Sequence, residues 1–318
     1  YYTETENRLY SGSPLSTNGR YSFGEQKFYE NNFSFLVSAQ KDRFLGDWGG
    51  TATFGGNMMQ RKSTGVSNSL GTLIVPDWFW LTNGDKGDLS VSQTYNHKKI
   101  NSLYGSLGVN YDGWIFLDAT FRNDWSSSLS KKNRSFFYPS ISASWVISDM
   151  VNNRFNGMPE WFTYAKTRVS FAEVGNDMDP YQLYNAYSIG SDGNTGGVTA
   201  SPSSSTLYNE DVRSELIKSW EVGAEIRFFN NRLGLDFTWY KSNATRQLLN
   251  IPMNALSGYT AKKVNAGDIE NKGIEIMLNA TPVQTKKFVW DTQLNFSKND
   301  NKINELLPGE ENKGMTYT

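Results

Sequence analysis

Residues 232–241 read RLGLDFTWYK. Leu233, Leu235, Phe237 and Trp239 occupy one parity of this run, and Gly234, Asp236, Thr238 and Tyr240 occupy the other. Successive side chains of a β-strand point to opposite faces, so a period of two describes a strand with one greasy and one polar side. In a soluble sandwich the greasy side is the core. In a membrane barrel it meets lipid, and the polar side lines a watery lumen. Periodicity cannot choose between these, so strand length and the connections between strands must decide.

About ten stretches share the pattern. SWEVGAEIRFF (219–229) sets Trp220, Val222, Ala224, Ile226 and Phe228 against Glu221, Glu225 and Arg227. WIFLDATFRND (114–124) sets Ile115, Leu117, Ala119 and Phe121 against Asp118, Thr120 and Arg122, after a hairpin signal at Asp112-Gly113. GIEIMLNAT (273–281) sets Ile274, Ile276 and Leu278 against Glu275 and Met277. Similar runs occupy 102–111, 137–148 and 288–298, with weaker ones at 31–41, 47–57, 161–174 and the opening of the chain. Most reach the roughly 9–11 residues that cross a bilayer, against about 5–6 for a soluble strand. The clearest apolar faces carry no charge. Short connections are expected at 42–46, 112–113, 149–160, 230–231 and 282–287, alternating with long ones at 58–98, 126–134, 175–216, 245–267 and the tail after 300. Outer-membrane barrels keep inner turns short and external loops long. Aromatic residues near strand ends, such as Phe136–Tyr138, Trp161, Phe162, Phe228 and Phe229, suit an interfacial girdle.

Composition agrees. Aromatic residues make up 14% and Gly numbers 28, a mixture for strands and tight turns. With 31 basic and 32 acidic residues the formal charge is −1, which gives no reason to propose a nucleic-acid partner. No Cys is present, which excludes disulfides and thiolate metal sites. No apolar run reaches the ~18–20 residues of a spanning helix, but alternating strands keep hydropathy low, as in the mean of −0.56 here. Opening at Tyr1 without a leader, the chain is expected to begin partway through a larger protein.

Five motifs in order then resemble one family. RNDWSSS (122–128), FFYPSISASWVISD (136–149), AKTRVSFAEVGND (165–177), IKSWEVGAEIRFFNNRLGLDFTWYKSNATRQLL (217–249) and NAGDIENKGIEI (265–276) resemble segments of the SusC/RagA family of TonB-dependent outer-membrane transporters. Phe171-Ala172 stand where that family usually has Tyr-Gly. The motifs cover about half the chain, and residues 1–98 match in style alone. The resemblance implies an all-β, antiparallel transmembrane barrel, of which residues 1–318 form a C-terminal-half portion, about ten strands of some 22. The plug domain, the TonB-contacting segment and an aromatic C-terminal strand are not found in this segment. The family implies import of a large solute, a glycan or a peptide, powered through TonB and capped by a SusD-like surface lipoprotein. It also implies contact with membrane lipid and lipopolysaccharide and a dimer of SusCD-like pairs.

Two other functions compete: a barrel kept as a scaffold in a larger assembly, and a soluble β enzyme or glycan-binding protein. An enzyme of that kind would need paired carboxylates, for which Glu225 and Asp236 share the polar parity of adjacent strands. Catalysis finds little else. His97, the single histidine, sits beside two lysines and reads as a solvated residue. Carboxylates in NGDKGD (83–88) and GNDMDP (175–180) could hold calcium, but Asx turns explain them as well, and no cofactor is expected. Trp78, Phe79, Trp80, Tyr181, Tyr184 and Tyr187 are the candidate ligand contacts, aromatic rings with polar neighbours in external loops. Asp118, Arg122, Glu221, Glu225, Arg227, Asp236 and Glu275 are expected to face the lumen. Trp220, Val222, Ile226, Leu233, Leu235, Phe237 and Trp239 are expected to face lipid.

Overall fold

Strands continue well past the ends of their apolar alternation. In the computed structural model, which describes residues 1–12, 14, 16–155 and 157–307, the strands are β1 (Tyr2–Leu9), β2 (Arg20–Leu45), β3 (Trp48–Leu70), β4 (Leu89–Tyr111), β5 (Ile115–Ser126), β6 (Ser135–Val146) and β7 (Phe162–Asn176). They are followed by β8 (Tyr187–Ser191), β9 (Val198–Pro202), β10 (Thr206–Leu207), β11 (Glu215–Phe228), β12 (Leu233–Pro252), β13 (Ala261–Gln284) and β14 (Val289–Glu305). One helix, α1 (Ile147–Arg154), joins β6 to β7. The main sheet runs in the order β1-β2-β3-β4-β5-β6-β7-β11-β12-β13-β14, and β10 adds two residues parallel to β13. Strands β8 and β9 form a separate hairpin. No pairing of β14 with β1 closes the sheet among the described residues, so this is part of a barrel wall.

Several expected boundaries change. Residues 58–70 and 89–98 belong to β3 and β4, which leaves 71–88 as the connection, and 245–252 and 261–267 belong to β12 and β13. These outer strand ends, such as AKKVNAGDIENK in 261–272, are polar on both faces, so the ladder continues where the hydrophobic signal has stopped. The expected connection 149–160 contains most of α1. With that helix, 147–161 is longer than 127–134 or 253–260, so connection length alone does not sort the two ends of the strands. The stretch 175–216 holds β8, β9 and β10. Residues 311–318, expected as loop, lie outside the described residues. The hairpin at Asp112-Gly113 takes positive φ at both residues (50° and 74°), the twist that a two-residue hairpin turn requires. Asn230 and Asn231 do the same (54° and 65°).

Two units are distinguished: residues 1–33, 57–100 and 179–181 form one, and 34–56, 101–178 and 182–318 the other. The first has a small core of Tyr21, Leu70 and Leu73, against which Phe23, Phe79 and Leu81 pack. The second has a cluster of Leu129, Met178 and Val212 with Phe136, Leu183 and Leu248.

In the second unit, cross-strand register traces the edge of the apolar face. Phe171 lies in one hydrogen-bonded row with Trp220, Lys241, Lys272 and Asp300. On β7 the apolar face ends at Phe171 and turns charged at Glu173; on β14 it ends at Phe296 and turns charged at Lys298. The apolar boundary therefore drops from the row of Asp300 to Phe296, four residues in the four strand steps from β7 to β14. A shift of about 3.4 Å per ~4.8 Å strand spacing is a tilt of about 35°, in the range of transmembrane barrels. A packed soluble core has no need of a straight boundary cutting across the rows at this angle.

Candidate functional site: the polar face and the outer loops

The parity of RLGLDFTWYK is now carried across neighbouring strands. Val222 pairs with Trp239, Ile226 with Leu235 and Phe228 with Leu233, while Phe237 faces Ala224 on one side and Ile276 on the other. These side chains form one sheet face, and Trp220, Val222 and Phe237 remain 50%, 45% and 37% exposed, uncovered by any second layer among the described residues. At its outer edge the same face ends in ion pairs: Lys218 to Glu173 at 3.0 Å and Lys241 to Glu270 at 2.9 Å. At the turn end Trp161 stacks on Phe228 with ring centroids 6.0 Å apart, and Phe162 meets Phe228 edge-on at 5.1 Å. Trp161 is the amphipathic ring of this cluster, the type that favours a membrane–water interface, and the two phenylalanines pack against it.

The opposite face holds the charges. Glu225 and Asp236 are directly opposed across β11 and β12, an arrangement that would repel if nothing compensated it. Arg227 meets Glu225 at 2.6 Å. Arg168, from β7, reaches across β11 to Asp236 with its two terminal nitrogens at 3.0 and 3.3 Å, and also donates to Thr238 at 2.6 Å and to Glu221 at 3.5 Å. The guanidinium can lie there because Gly223 sits beneath it: a Cβ on Gly223 would stand 2.5 Å from Arg168 Nε. Glu275 pairs with Thr238 on this face. Further along the sheet, Arg122 donates to Asp124 at 2.9 Å and to Ser102 at 3.0 Å, while the Tyr138 hydroxyl donates to Asp124. Asp118 faces Ser142, with an oxygen 2.8 Å from where a Cβ of Gly108 would stand.

Arg168 is the hub of this wall and was absent from the expected site residues. Its strand, 161–174, alternates weakly, and its partners are up to 70 residues away in the chain. A glycine on the polar parity of an otherwise regular strand, Gly223, is the signal that marks a close approach. The two opposed carboxylates are each engaged by their own guanidinium, which makes a charged wall and leaves no acid–base pair poised on a substrate.

In the first unit, Trp78, Phe79 and Trp80 do not act alike. Phe79 turns inward, edge-on to Tyr10 at 4.9 Å with the Arg8 guanidinium 5.6 Å from its ring centre. Trp78 and Trp80 are 58% and 61% exposed. The loop that presents them is pinned by Asn83, a buried amide that accepts from Val75 N at 3.0 Å and donates to the carbonyls of Val75 (2.8 Å) and Trp78 (2.6 Å). Asp77, with φ at 61°, accepts from the Ser11 backbone at 2.6 Å and its hydroxyl at 2.8 Å. Replacing Asn83 by alanine leaves these buried groups unpaired and costs about 2–4 kcal/mol of local stability. Amide exchange over residues 75–83 is expected to rise accordingly, with the strands unchanged. Tyr181, also in this unit, is exposed at φ 64°. In the second unit Tyr184 and Tyr187 are exposed, Tyr187 at the start of the β8–β9 hairpin.

The acidic loop motifs are used locally. Asp85 accepts from Gly87 N at 2.9 Å, and Asp177 accepts from the Ser126 hydroxyl. His97 hydrogen-bonds Gln60 at 2.9 Å. At the tip of the β8–β9 hairpin the backbone N–H groups of Asn194 and Thr195 hold the Asp192 carboxyl below its usual range. A lowered folded pKa adds stability above the unfolded value of about 3.9, and that stability is lost as pH falls through the folded value. The turn is therefore expected to keep its amide protection from pH 7 to 5.

Comparison with known proteins gives this arrangement its context. A family profile described as "TonB dependent receptor-like, beta-barrel" matches residues 1–316. TonB-dependent receptor P26 of Formosa agariphila is 31% identical over 261 residues, 79% of this chain and 26% of that protein. TonB-dependent receptor SusC of Bacteroides thetaiotaomicron is 26% identical over 313 residues, 92% of this chain and 30% of SusC. The chain thus spans about a quarter to a third of these relatives. Among solved structures, the RagAB peptide transporter superposes with a TM-score of 0.83 at 21% identity, covering 97% of this chain and 34% of that one. The outer-membrane transporter YddB of Escherichia coli shares the fold at a TM-score of 0.55 and 11% identity, over 90% of this chain and 34% of that one. Apolar band, ion-paired polar wall and family match agree: the chain belongs to the TonB-dependent receptor β-barrel family, as part of an outer-membrane barrel wall.

Proposed function

We propose that this chain forms part of the wall of a TonB-dependent importer that carries a large solute, an oligosaccharide or a peptide, across the outer membrane beneath a SusD-like surface lipoprotein. The carrying observation is a sheet with two opposite solvents: an exposed apolar face bounded by charge, and a polar face lined by Arg168, Asp236, Glu221, Arg227 and Glu225. SusC among the relatives and the RagAB peptide transporter among the structures support the solute class and the lipoprotein partner. The exposed Trp78 and Trp80, held on a pinned loop, have the rigid ring faces that stack on sugars or on peptide side chains.

Deleting the gene is expected to abolish growth or uptake on at least one member of a panel of glycans and peptides, with rescue by the intact gene. Uptake of every panel member at the parental rate would overturn import. Trp78→Ala combined with Trp80→Ala is expected to raise the half-saturating solute concentration about 3–10-fold while leaving the maximal rate in place, as loss of ~0.5–1.5 kcal/mol of ring contact would do.

A further inference from the structure

Strands β6 and β7 part company at their outer ends. Their ladder stops at Ser140 and Ala172, although β6 begins at Ser135 and β7 runs on to Asn176. A recess of about 410 Å³ opens in this wedge, lined by Lys132, Arg213, Lys218 and Arg246 with Glu173 and Phe137 among them. Lys218 is committed to Glu173 at 3.0 Å, and Lys132 reaches Asp211 at 3.6 Å. Arg213 and Arg246 have no ion pair or guanidinium hydrogen bond among the described residues, and both side chains are exposed.

The two arginines are brought together deliberately by the backbone. Asn265 donates to the carbonyls of both Arg213 (2.8 Å) and Arg246 (2.9 Å), and accepts from Arg213 N at 2.6 Å. Arg246 itself is held at φ 56°, a left-handed conformation that residues with a Cβ rarely adopt. On the other wall, Asn133 donates to the carbonyls of Asp211 (2.9 Å) and Val212 (3.2 Å). Two unpaired guanidinium groups, positioned by pinned backbone beside a paired lysine, form a receptor for a doubly acidic oxyanion such as phosphate.

What lies below the recess identifies the molecule that carries the phosphate. Further along the same sheet, on β5, β6, β7 and β11, a largely apolar groove of about 330 Å³ is lined by Ile115, Ala143, Trp145, Val169 and Val222, with Ser144, Thr167 and Arg168 also at its wall. Phe137 and Ile141, each 56% exposed, lead down β6 toward it. A free phosphate or an acidic solute has no use for this surface. An amphiphile does: headgroup in the recess, acyl chains along the groove.

We infer that the Arg213/Arg246 recess binds the phosphate of an outer-leaflet glycolipid of the lipid A type, whose acyl chains lie on the apolar face below it. This rests on the proposed outer-membrane function and on the expectation that the end carrying 71–88, 127–134, 177–214 and 253–260 faces outward, and does not depend on what is imported.

The full-length protein, purified in detergent, is titrated by native mass spectrometry with phosphorylated lipid A, with the same lipid A after phosphatase treatment, and with inorganic phosphate. Phosphorylated lipid A is expected to bind at least about tenfold more tightly than its dephosphorylated form, and inorganic phosphate at millimolar concentration to displace little of it. Arg213→Gln with Arg246→Gln is expected to erase the phosphate preference and leave binding of the dephosphorylated lipid unchanged. Arg246→Gly, which suits the left-handed backbone, removes the guanidinium without straining the fold and is expected to lower the preference on its own. Lys287→Gln, at the turn end, is expected to change nothing. Equal binding of the two lipids, an unchanged preference in the arginine variants, or inorganic phosphate binding as tightly as lipid A would overturn the inference. Loss of solute uptake with lipid binding intact, or the reverse, separates this site from the import reading.

Discussion

Ile141→Arg is expected to lower the folding free energy of the full-length barrel in lipid vesicles by about 1–2 kcal/mol, between the ~2–4 of a cation at the bilayer midplane and the ~0–1 near an interface, because Ile141 shares its row with Phe171, the last apolar residue of β7. Ser142→Arg, one residue along the same strand, is expected to stay within about 1 kcal/mol of the parent. Ile141 lies midway along the apolar parity of β6, between Phe137 and Trp145, and pairs with Ala119 and Phe171. Ser142 pairs with Asp118 and Ser170 on the polar face, where a new guanidinium finds a carboxylate. The contrast is informative because Ile141 is 56% exposed. In a protein that faced water on both sides, arginine at such a position would fall within about 0.5 kcal/mol of neutral. Equilibrium urea titration in vesicles measures both variants, and equal costs at 141 and 142 would remove the lipid-facing assignment.

The second large effect is expected at Arg168. Arg168→Met leaves Asp236 and Glu221 on the same wall without their shared cation. The Arg168 side chain is 34% exposed and that of Asp236 is 22% exposed, intermediate between surface pairs worth about 0–1 kcal/mol and buried ones whose breakage costs 3–5. A loss of about 2 kcal/mol follows for the single variant. Asp236→Asn in the Arg168→Met background is expected to add little, giving a coupling of about 1–2 kcal/mol in the double-mutant cycle. Gly223→Ala tests the same contact from the strand it crosses, since the added methyl occupies the place of the guanidinium. Its cost is expected to vanish once Arg168 is methionine. Strict additivity of Arg168→Met and Asp236→Asn would show that the pair carries no energy of its own.

Much of this architecture is written in local periodicity. The two faces of 219–229, 232–241 and 273–281, the turns at Asp112-Gly113 and Asn230-Asn231, and the family motifs all follow from residues within one strand or turn of each other. An alternation of two needs no knowledge of partners, because the pleat alone sends successive side chains to opposite faces. The outer halves of β3, β4, β12 and β13 were illegible for the same reason. They are polar on both faces, and a strand wet on both sides leaves no alternation to read.

Tertiary structure decided everything that depends on register. Which groups meet, the Arg168 guanidinium with Asp236 across 68 residues or the Asn265 amide with the Arg213 backbone across 52, is settled by how β7, β11, β12 and β13 align, and by the loops that return the chain to them. The split between β6 and β7, the inward turn of Phe79 and the clamp at Asn83 belong to the same class. A strand's own residues specify its two faces, whereas its neighbours and their offset specify contacts, because hydrogen-bonded ladders join segments whose spacing along the chain carries no record of the pairing.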